Sequence, residues 1–470
     1  TGSPAPAFSI GDGSTLPAWL TLATTCGDKT APAGQVYLCG TPPPGTANAE
    51  YTFDVVATNN FDGSDHTATE TITVEVFPGE VAVTLSGPDG DPYSYYPVYS
   101  EQVVLTATLT VSTGANPAPS MSKDEGAVQF FFYNWNTDQS TSIDATCDAV
   151  TVVNSQAQCT IPVSALPWGG GPDADGTFEV WASYSGGDDY YSNDSNTLEL
   201  YEYPAATTTS VTSSLNPSTF GQSTTFTATV TADQPATIGP TTQGTVTFEN
   251  GGAVITGCGA VALVAGQATC TTSALAGGNH NITATFSSTA DYYSDSGPSV
   301  VLVQGVQPAA TSTTLTAAPS SPIDVSDGTS HSVTYTATVT AGGSPVTAGS
   351  VTFADNLGAP PPVYSCTVTV ATDGTAQCSI SYSNTGAADA GVGEHSVTAT
   401  YSDSAGNYAT SSDSYTMDID VAPQYTSADS GNATIGVPFS FLVGASGFPA
   451  PTFSLAQGFS LPDGLSLAAT

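Results

Sequence analysis

The chain has 470 residues, of which 41 are acidic and only two, Lys29 and Lys123, are basic, so its formal net charge at pH 7 is -39. A surface of this charge repels phosphate backbones and anionic lipid headgroups, so we expect neither a nucleic-acid partner nor a membrane-surface role. The sequence also lacks a run of about 18–20 apolar residues, and we expect no membrane insertion in this segment.

The length predicts several folded domains. A chain of 470 residues has room for roughly three to five domains of about 100 residues each. Its apolar content of 39% is too high for a disordered chain. Apolar residues alternate with Thr and Ser along many stretches, and the turns are rich in Gly, Asn and Asp. These patterns predict an all-β fold.

The first segment, 1–79, contains two short motifs and one strand pattern. Gly-Ser-Pro-Ala-Pro-Ala-Phe-Ser stands at 2–9, Cys-Gly-Thr-Pro at 39–42, and an alternating stretch at 51–59. The last segment, 422–470, repeats the beginning of this pattern, because its final 25 residues match the first 25 of the chain at 13 positions without a gap. The two ends are therefore predicted to contain parts of one domain type.

Three segments between the ends, 80–203, 204–308 and 309–421, repeat one order of motifs. In the second of them the order is an alternating strand at 224–231, Gly-Thr-Val-Thr-Phe at 244–248, Cys258, Gly-Gln-Ala-Thr-Cys at 266–270, a strand at 278–286, Asp-Tyr-Tyr-Ser at 291–294 and a closing strand at 299–303. The third segment follows the same order, and the first follows it with insertions at 113–124 and 167–176.

This order of motifs resembles the bacterial Ig-like repeat of the group 3 type. The resemblance covers about 80–421 in three copies, and it implies a structural or adhesive module of secreted and surface proteins. About seven short strands in roughly 105 residues also fit an Ig-like sandwich. We therefore expect tandem Ig-like β-sandwich domains in an extended rod.

The eight cysteines form four local pairs, three of them with one spacing. Zinc sites usually need closer Cys-x-x-Cys spacing or nearby histidines, and neither is present. Disulfides are therefore predicted within each pair, and they place the protein outside the cytoplasm, extracellular or at the cell surface. Closing each short loop contributes roughly 3 kcal/mol in the chain-entropy model. The pairs are Cys26 with Cys39, Cys147 with Cys159, Cys258 with Cys270, and Cys366 with Cys378.

The motifs of the two ends resemble a second Ig family of bacterial surface proteins, one that is cadherin-like in architecture. Repeats of that family open with a strand like 433–443, which this chain has only near its C-terminus. Segment 1–79 is thus expected to lack its first strands, and 422–470 to be the N-terminal part of a further domain. Two explanations are a longer chain in which the block recurs, and a polymer that exchanges strands between subunits. The longer chain is favoured, because 446–470 and 1–25 would claim the same strands in a polymer.

No catalytic or metal-binding residues are predicted, and we do not expect an enzyme. His280 and His395 occupy equivalent places where Phe178 stands in the first copy, which indicates a packing role. His66 and His331 lie in polar loops, and no nucleophile motif such as G-x-S-x-G accompanies any of the four histidines.

Calcium is the one cofactor that the loops could favour. Oxygen-rich turns stand at 173–176, at 187–189 with Asp194, and at 89–91, and hard cations need six to eight such oxygens. The alternative is ordinary turn chemistry, since Asp and Gly fill turns in any case. The Tyr-rich stretch 91–99 is either a glycan-contact patch or, as we favour, part of a domain junction.

Short linkers that contain proline separate the segments, at 78–79, 203–205, 307–309 and 422–423. Proline restricts φ and stiffens such connections. The function expected is that of an extracellular shaft in a bacterial surface fibre, filament or stalk, with end-to-end self-association or continuation of the same chain. The alternatives are an adhesin that binds glycans or cells through its loops, and a non-catalytic spacer of a secreted hydrolase.

Overall fold

A computed structural model of the chain describes residues 4–111, 126–134, 139–161, 177–356, 364–384 and 391–468. Strands dominate these ranges, and the single helical element found in them is one 3-10 turn. No helix in the described ranges is long and apolar enough to cross a membrane. The predicted all-β class is confirmed. The insertions predicted at 113–124 and 167–176 lie outside the described residues.

The first segment, residues 4–79, forms three small antiparallel sheets. Their orders are β1-β6-β7, β2-β5 and β3-β4. Leu20, Phe53 and Val76 are the only buried apolar side chains among the described residues of this segment. The strands are β1 Ala7–Ile10, β2 Leu20–Ala23, β3 Thr25–Cys26, β4 Lys29–Thr30, β5 Tyr37–Gly40, β6 Glu50–Asn60 and β7 Asp65–Glu75.

Residues 80–203 form a sandwich of two sheets. One has the order β14-β10-β8, and the other β12-β11-β15-β17-β9, with β13 on β11 and β16 on β15. The core between them is built from alternate residues of β8, β10, β11, β14 and β15. The elements are β8 Val81–Ser86, β9 Ser94–Tyr95, β10 Val103–Val111, β11 Ala127–Asn134, β12 Gln139–Ser142, the 3-10 turn Ala145–Cys147, β13 Val150–Thr151, β14 Gln156–Ile161, β15 Thr177–Tyr184, β16 Asn193–Asp194 and β17 Leu198–Tyr201.

Residues 204–308 repeat this architecture. The sheets have the orders β18-β20-β24 and β19-β26-β25-β21-β22, with β23 on β21. A separate core lies between them. The strands are β18 Thr207–Ser213, β19 Ser218–Thr219, β20 Thr224–Ala232, β21 Gly244–Asn250, β22 Ala253–Val254, β23 Val261–Ala262, β24 Gln267–Thr272, β25 Gly278–Ser288 and β26 Leu302–Gln307.

Residues 309–421 form the third sandwich with its own core. Strands β27, β29, β30 and β33 form one sheet, and the other has the order β28-β35-β34-β31-β32. The strands are β27 Ser312–Ala318, β28 Ile323–Asp324, β29 His331–Ala341, β30 Ser344–Pro345, β31 Ser350–Asn356, β32 Tyr364–Thr369, β33 Thr375–Tyr382, β34 Gly393–Ser402 and β35 Ser411–Tyr425.

Residue alternation explains why these strands face the core as they do. Side chains of a strand point to opposite faces in turn, and in β20 the predicted apolar set Phe226, Ala228 and Val230 is buried while the intervening threonines are partly exposed. The repeated motifs pair in one register in all three sandwiches. Their strand partners are Val128 with Tyr184, Val246 with Phe286, and Val351 with Tyr401.

The closing strand of the second sandwich begins later than predicted. It was expected at 299–303, but β26 begins at Leu302, and Val300 is 90% exposed. The hydroxyl of Ser299 accepts a hydrogen bond from the backbone N–H of Ala284 (3.1 Å). The Ser299 hydroxyl therefore takes the place of a backbone carbonyl as the hydrogen-bond acceptor, and regular pairing between β25 and β26 begins only at Leu302.

The C-terminal segment differs most from the sequence expectation. Strand β35 runs through the predicted linker 422–423 and pairs with β36 Ala445–Phe448. The strand expected at 433–443 is absent, and these residues have no strand partner in the described structure. An unpaired strand leaves its N–H and C=O groups without ladder partners, which explains why the apolar alternation alone does not produce one.

Candidate functional site at the domain junctions

At each of the three junctions that precede a central sandwich, the same backbone contact anchors the linker to the sandwich that follows it. The last linker residue forms a parallel bridge with a tyrosine in a loop near the end of that sandwich. Its N–H donates a hydrogen bond to the carbonyl of the residue just before that tyrosine. The bridges are Gly79 with Tyr190, Ala205 with Tyr293, and Ala309 with Tyr408, and the carbonyls belong to Asp189 (2.8 Å), Tyr292 (3.0 Å) and Asn407 (2.8 Å).

The residue before each tyrosine also reaches the preceding domain. At the first junction the carboxylate of Asp189 accepts hydrogen bonds from the backbone N–H groups of Gly45 (2.6 Å) and Ala47 (3.4 Å). A charge-assisted bond of this kind is stronger than a neutral one. Asp189, which lies in one of the oxygen-rich turns predicted as calcium candidates, thus connects two domains.

At the second junction the contact is aromatic. Tyr99 of the first sandwich stacks on Tyr292 at 5.1 Å between ring centroids and meets the edge of Tyr293 at 5.0 Å. Aromatic pairs in these geometries contribute about 0.5–1.5 kcal/mol beyond the area they bury. The Tyr-rich stretch therefore supplies one junction residue, as favoured from sequence, while Tyr93 and Tyr96 remain exposed.

A buried serine reinforces the second junction. Ser100 is inaccessible to solvent, and its hydroxyl accepts hydrogen bonds from the N–H groups of Thr237 (3.0 Å) and Ile238 (2.9 Å). The Thr237 hydroxyl donates to the Ser100 carbonyl (2.6 Å). Ser100 has φ of 65°, a conformation that non-glycine residues seldom adopt and that persists only where the surroundings hold it.

The third junction depends on a close backbone approach. The side-chain oxygen of Asn407 accepts a hydrogen bond from the N–H of Gly277 (2.8 Å). A Cβ at Gly277 would lie only 2.1 Å from the carbonyl oxygen of Gly406, so no larger residue fits there without separating the domains. Phe220 packs edge-on against Tyr408 at 5.2 Å.

The cysteines are joined in the four expected pairs. Their Cα–Cα distances are 5.8 Å, 5.4 Å, 5.6 Å and 6.7 Å in chain order, which lie within the usual range. Cys378 of β33 and Cys366 of β32 lie in opposite sheets of the third sandwich, so their disulfide holds its two layers together. Cys159 of β14 is joined to Cys147 in the 3-10 turn, which lies between β12 and β13 of the opposite sheet.

His395 forms a buried ion pair, which the sequence did not indicate. His395 and Asp355 are both inaccessible to solvent, and Nδ1 of His395 lies 3.0 Å from Oδ1 of Asp355. Its Nε2 donates to the carbonyl of Gly391 (2.8 Å). Burial lowers the pKa of His395, but the hydrogen bond and charge of Asp355, with the Gly391 carbonyl, outweigh burial and raise that pKa above its ordinary value of 6.5.

His280 occupies the equivalent place in the second sandwich with neutral partners. Its Nε2 lies 2.8 Å from the carbonyl of Ala276, and its Nδ1 lies 2.9 Å from the amide nitrogen of Asn250. Because a carbonyl only accepts, Nε2 donates to Ala276, and Nδ1 accepts from the amide N–H of Asn250. His66 and His331 each pair with an exposed aspartate four residues earlier, Asp62 and Asp327.

The other predicted calcium loops are occupied by turn hydrogen bonds. Asp89 accepts from the N–H of Asp91 (3.1 Å), and Asp91 accepts from the N–H of Tyr93 (2.8 Å). The turn at 173–176 lies outside the described residues. Among the residues that are described, no three His, Cys, Asp or Glu side chains are grouped so that they could hold a metal ion.

Sequence reasoning missed most of the junction residues. Asn407 and Gly277 are separated by 130 positions and lie in loops, where Asn and Gly are common for local reasons. The recurring tyrosine was visible as part of a motif, but its bridge to the linker was not. The signal that could have found the site is the recurrence of this tyrosine 14 or 15 residues before the proline of the next linker.

Three kinds of comparison with known proteins bear on the fold. Residues 211–304 match the family model of the bacterial Ig-like domain (group 3). No curated protein matches the sequence. A solved structure of a 1.5-MDa bacterial ice-binding adhesin is 16% identical over 73% of this chain and 99% of its own, with a TM-score of 0.25.

Two further solved structures cover similar shares. The Escherichia coli adhesin FdeC is 14% identical over 72% of this chain and 96% of its own, with a TM-score of 0.25. The FN1–FN3 domains of chicken CNTN1 are 9% identical over 73% and 98%, with a TM-score of 0.18. Similarity at this level supports no inference about arrangement or function. The sheet topology and the family match together identify residues 211–304 as a bacterial Ig-like domain of group 3, within a chain of repeated β-sandwiches.

Proposed function

We propose that this chain is an extracellular structural segment, the shaft of a bacterial surface fibre, filament or stalk. The observation that carries the proposal is that, at three successive junctions, the residue just before the bridged tyrosine contacts the preceding domain. A chain of independent domains needs no such repetition, whereas a shaft needs every joint to resist bending.

Composition supports the same proposal. Four disulfides suit an oxidising environment. A net charge of -39 favours solubility. Because only Lys29 and Lys123 are basic, the chain offers almost no cleavage sites to trypsin-like proteases, which suits prolonged exposure outside a cell.

The proposal is tested by imaging the native material. Antibodies raised against residues 204–308 should label fibres or stalks along their length in immunogold electron microscopy of the producing cells. Label confined to the cytoplasm, or to the tips of fibres built from another protein, would contradict a shaft.

An adhesive function is the second candidate, and exposed tyrosines favour it. Tyr93 is 74% exposed, and Tyr96 stacks on Tyr201 at 5.2 Å while remaining more than half exposed. Exposed aromatic faces suit sugar rings. Retention of the chain on a glycan array, lost in Tyr93→Ala and Tyr96→Ala but kept in Tyr364→Ala, would support adhesion. Equal retention of all three variants would count against this patch.

A further inference from the structure

One sheet of each central sandwich contains no carboxylate. These sheets are β14-β10-β8, β18-β20-β24 and the sheet of β27, β29, β30 and β33. Their strands contain no Asp, Glu, Lys or Arg. Most of the side chains that point away from the core in these strands belong to Thr, Ser and Gln. We call the three outward surfaces the threonine faces.

Strand propensity alone does not explain this absence of charge. Threonine is enriched in strands, but the opposite sheet of each sandwich has the same preference for strand residues and still carries carboxylates on its outer surface. The acidic residues are therefore kept off one particular face of each sandwich. Those on the opposite sheets are Glu179 and Glu199 in the first sandwich, Glu249 in the second, and Glu394 and Asp418 in the third.

Several hydroxyl groups of the threonine faces are already hydrogen bonded within their own sheet. In the second sandwich the hydroxyls of Thr225 and Thr271 bond to each other (2.8 Å), and the hydroxyl of Thr212 donates to the backbone carbonyl of Thr227 (3.3 Å). A bonded hydroxyl loses little when it leaves water, so the face can be covered at low cost. The third sandwich repeats these bonds at equivalent positions, between Thr334 and Ser379 (3.0 Å) and from Thr316 to the carbonyl of Thr336 (3.3 Å).

The charge balance of the chain indicates which partner fits these faces. A carboxylate buried between two chains is strongly destabilising unless a cation pairs with it, and only two of the 470 residues are Lys or Arg. Two copies of this chain can therefore pack closely only where carboxylates are absent. A neutral sugar would not require the absence of carboxylates, and it would need free hydroxyl groups rather than groups bonded within the sheet.

We propose that the threonine faces of one chain pack side by side against the threonine faces of a second copy of this chain. Sheets that pack face to face lie about 10 Å apart, and the methyl groups of the threonines would form the contact between them. Each face is about 15 Å wide and about 25 Å long, which is roughly half the area that one partner buries in a standard interface. One pair of faces thus makes a weak contact, and several pairs along two chains strengthen each other.

The inference rests on the proposed shaft function, because shafts that run side by side present these faces to one another repeatedly. It names the partner as another shaft of the same kind. The contact involves the central sandwiches alone, so it is equally compatible with a longer chain. A failure of lateral packing would leave the shaft proposal standing, because immunogold labelling reports where the chain is and sedimentation reports whether chains associate.

The first experiment is sedimentation velocity on the 470-residue chain at ionic strengths of about 0.1 M and about 1 M, between which the Debye length falls from about 10 Å to about 3 Å. We expect dimers and larger species, with a dissociation constant below about 1 mM at the higher ionic strength. Salt should promote this association, because it screens the net charge of -39 and leaves an uncharged contact intact. A contact made by ion pairs would weaken instead.

A charged variant tests whether the threonine faces form the contact. Gln158→Glu/Thr269→Glu/Gln377→Glu places one carboxylate at an equivalent, exposed position in each of the three faces. Association should weaken by at least about a hundred-fold, because each carboxylate would be buried without a cation.

The matched control adds the same charge to the opposite sheets. Asn281→Glu/Ser287→Glu/Thr400→Glu changes three exposed residues on the outer surfaces of β25 and β34. The two variants have equal net charge, so a difference between them reports where the added charge lies. The control should associate almost as well as the parent.

Photocrosslinking identifies the contact in a chain whose charge is unchanged. Ser210→benzoylphenylalanine, at an exposed position of β18, should cross-link to a threonine face of a second, isotope-labelled chain. Ser287→benzoylphenylalanine, on the opposite sheet, should give no cross-link between chains. Cross-links from position 287 but not from position 210 would contradict the proposal.

Three sedimentation results would also overturn the proposal. They are a parent chain that stays monomeric at both ionic strengths, a face variant that associates as well as the parent, and a control variant that loses association to the same extent as the face variant. A monomeric parent that is retained on a glycan array, when the face variant is not, would assign these faces to a sugar instead. Thermal unfolding of both variants should match the parent, because the substituted residues are exposed.

Discussion

Two neighbouring positions carry different side chains in each central sandwich. The shared strand registers make Phe132 and Phe178, Asn250 and His280, and Asp355 and His395 equivalent to one another. These positions thus accept two apolar residues, two hydrogen-bonded polar residues or an ion pair. A buried ion pair is often no more stabilising than an apolar pair of similar size, but breaking it by removing one partner is costly.

The first prediction concerns this ion pair. His395→Phe leaves Asp355 buried without a partner and should destabilise residues 309–421 by about 3–5 kcal/mol. The double variant Asp355→Phe/His395→Phe reproduces the pair of the first sandwich and should recover most of that loss. Hydrogen exchange of β34 peptides measures both, and a double variant as unstable as the single one would contradict the assignment.

The same pair predicts a pH dependence with a definite sign. A raised pKa in the folded state means that protonation of His395 stabilises the fold, fully below about pH 6.5 and progressively less as pH rises through the raised value. The exchange protection of β34, corrected for the intrinsic rate, should therefore fall above pH 6.5 in the parent chain. It should stay constant in the double variant.

Glu202 differs from His395, because burial in the folded state disfavours the charged form of its carboxyl group. Oε1 of Glu202 is buried without a hydrogen-bond partner among the described residues, and burial raises the pKa of this carboxyl to about 9. The unfolded chain releases the proton near its ordinary pKa of 4.5, so stability falls as pH rises from about 4.5 to 9.

The second prediction follows from that burial. Glu202→Gln removes the ionisation and should stabilise residues 80–203 by about 1–3 kcal/mol at pH 7, with little effect at pH 4. Tryptophan fluorescence during urea unfolding is a suitable measurement, because the chain has no tryptophan after Trp181. An equal effect at both pH values would mean that Glu202 is ionised in the folded chain.

Strands and turns differ in how far the sequence determines them. The strand β20 could be predicted from its sequence, because its apolar residues face the core and alternate with threonines that face away from it. The segment 433–443 shows the same apolar alternation but forms no strand. A strand also needs a neighbouring strand to pair with, and the alternation within one segment does not specify that neighbour. The junction contact between Asn407 and Gly277 left no readable pattern, since it depends on how two folded domains meet.

The third prediction concerns the disulfide of the second sandwich. Replacing Cys258 and Cys270 by alanine opens a loop of 12 residues and should cost about 3 kcal/mol of stability. The fold should persist, because the core around this pair contains many other buried side chains. Hydrogen exchange of peptides from β20 and β25 measures the loss, and unchanged protection would contradict a stabilising disulfide.

The fourth prediction addresses the third junction. Gly277→Ala places a methyl group against the Gly406 carbonyl and should loosen the joint between residues 204–308 and 309–421 without unfolding either. Gly297→Ala is the matched control, since nothing lies within 4 Å of its Cβ. The distance distribution between spin labels placed on the two domains should broaden for the first variant alone. Equal distributions would contradict a joint held by this close approach.

At the scale of the whole molecule, the account depends on the chain being extended. An 11-residue strand such as β25 is about 36 Å long, so four sandwiches placed end to end would span about 150 Å. A uniform rod of that length has a radius of gyration of about 40 Å, compared with about 23 Å for a compact globule of this chain length. The difference is large enough to decide between the two arrangements.

Small-angle X-ray scattering of the chain tests the central claim most directly. It should be recorded over a dilution series and extrapolated to zero concentration, so that it reports the single chain. We predict a radius of gyration of about 40 Å with the narrow distance distribution of a stiff rod. A value near 23 Å, or the broad distribution of freely jointed domains, would contradict a shaft built from repeated, fixed junctions.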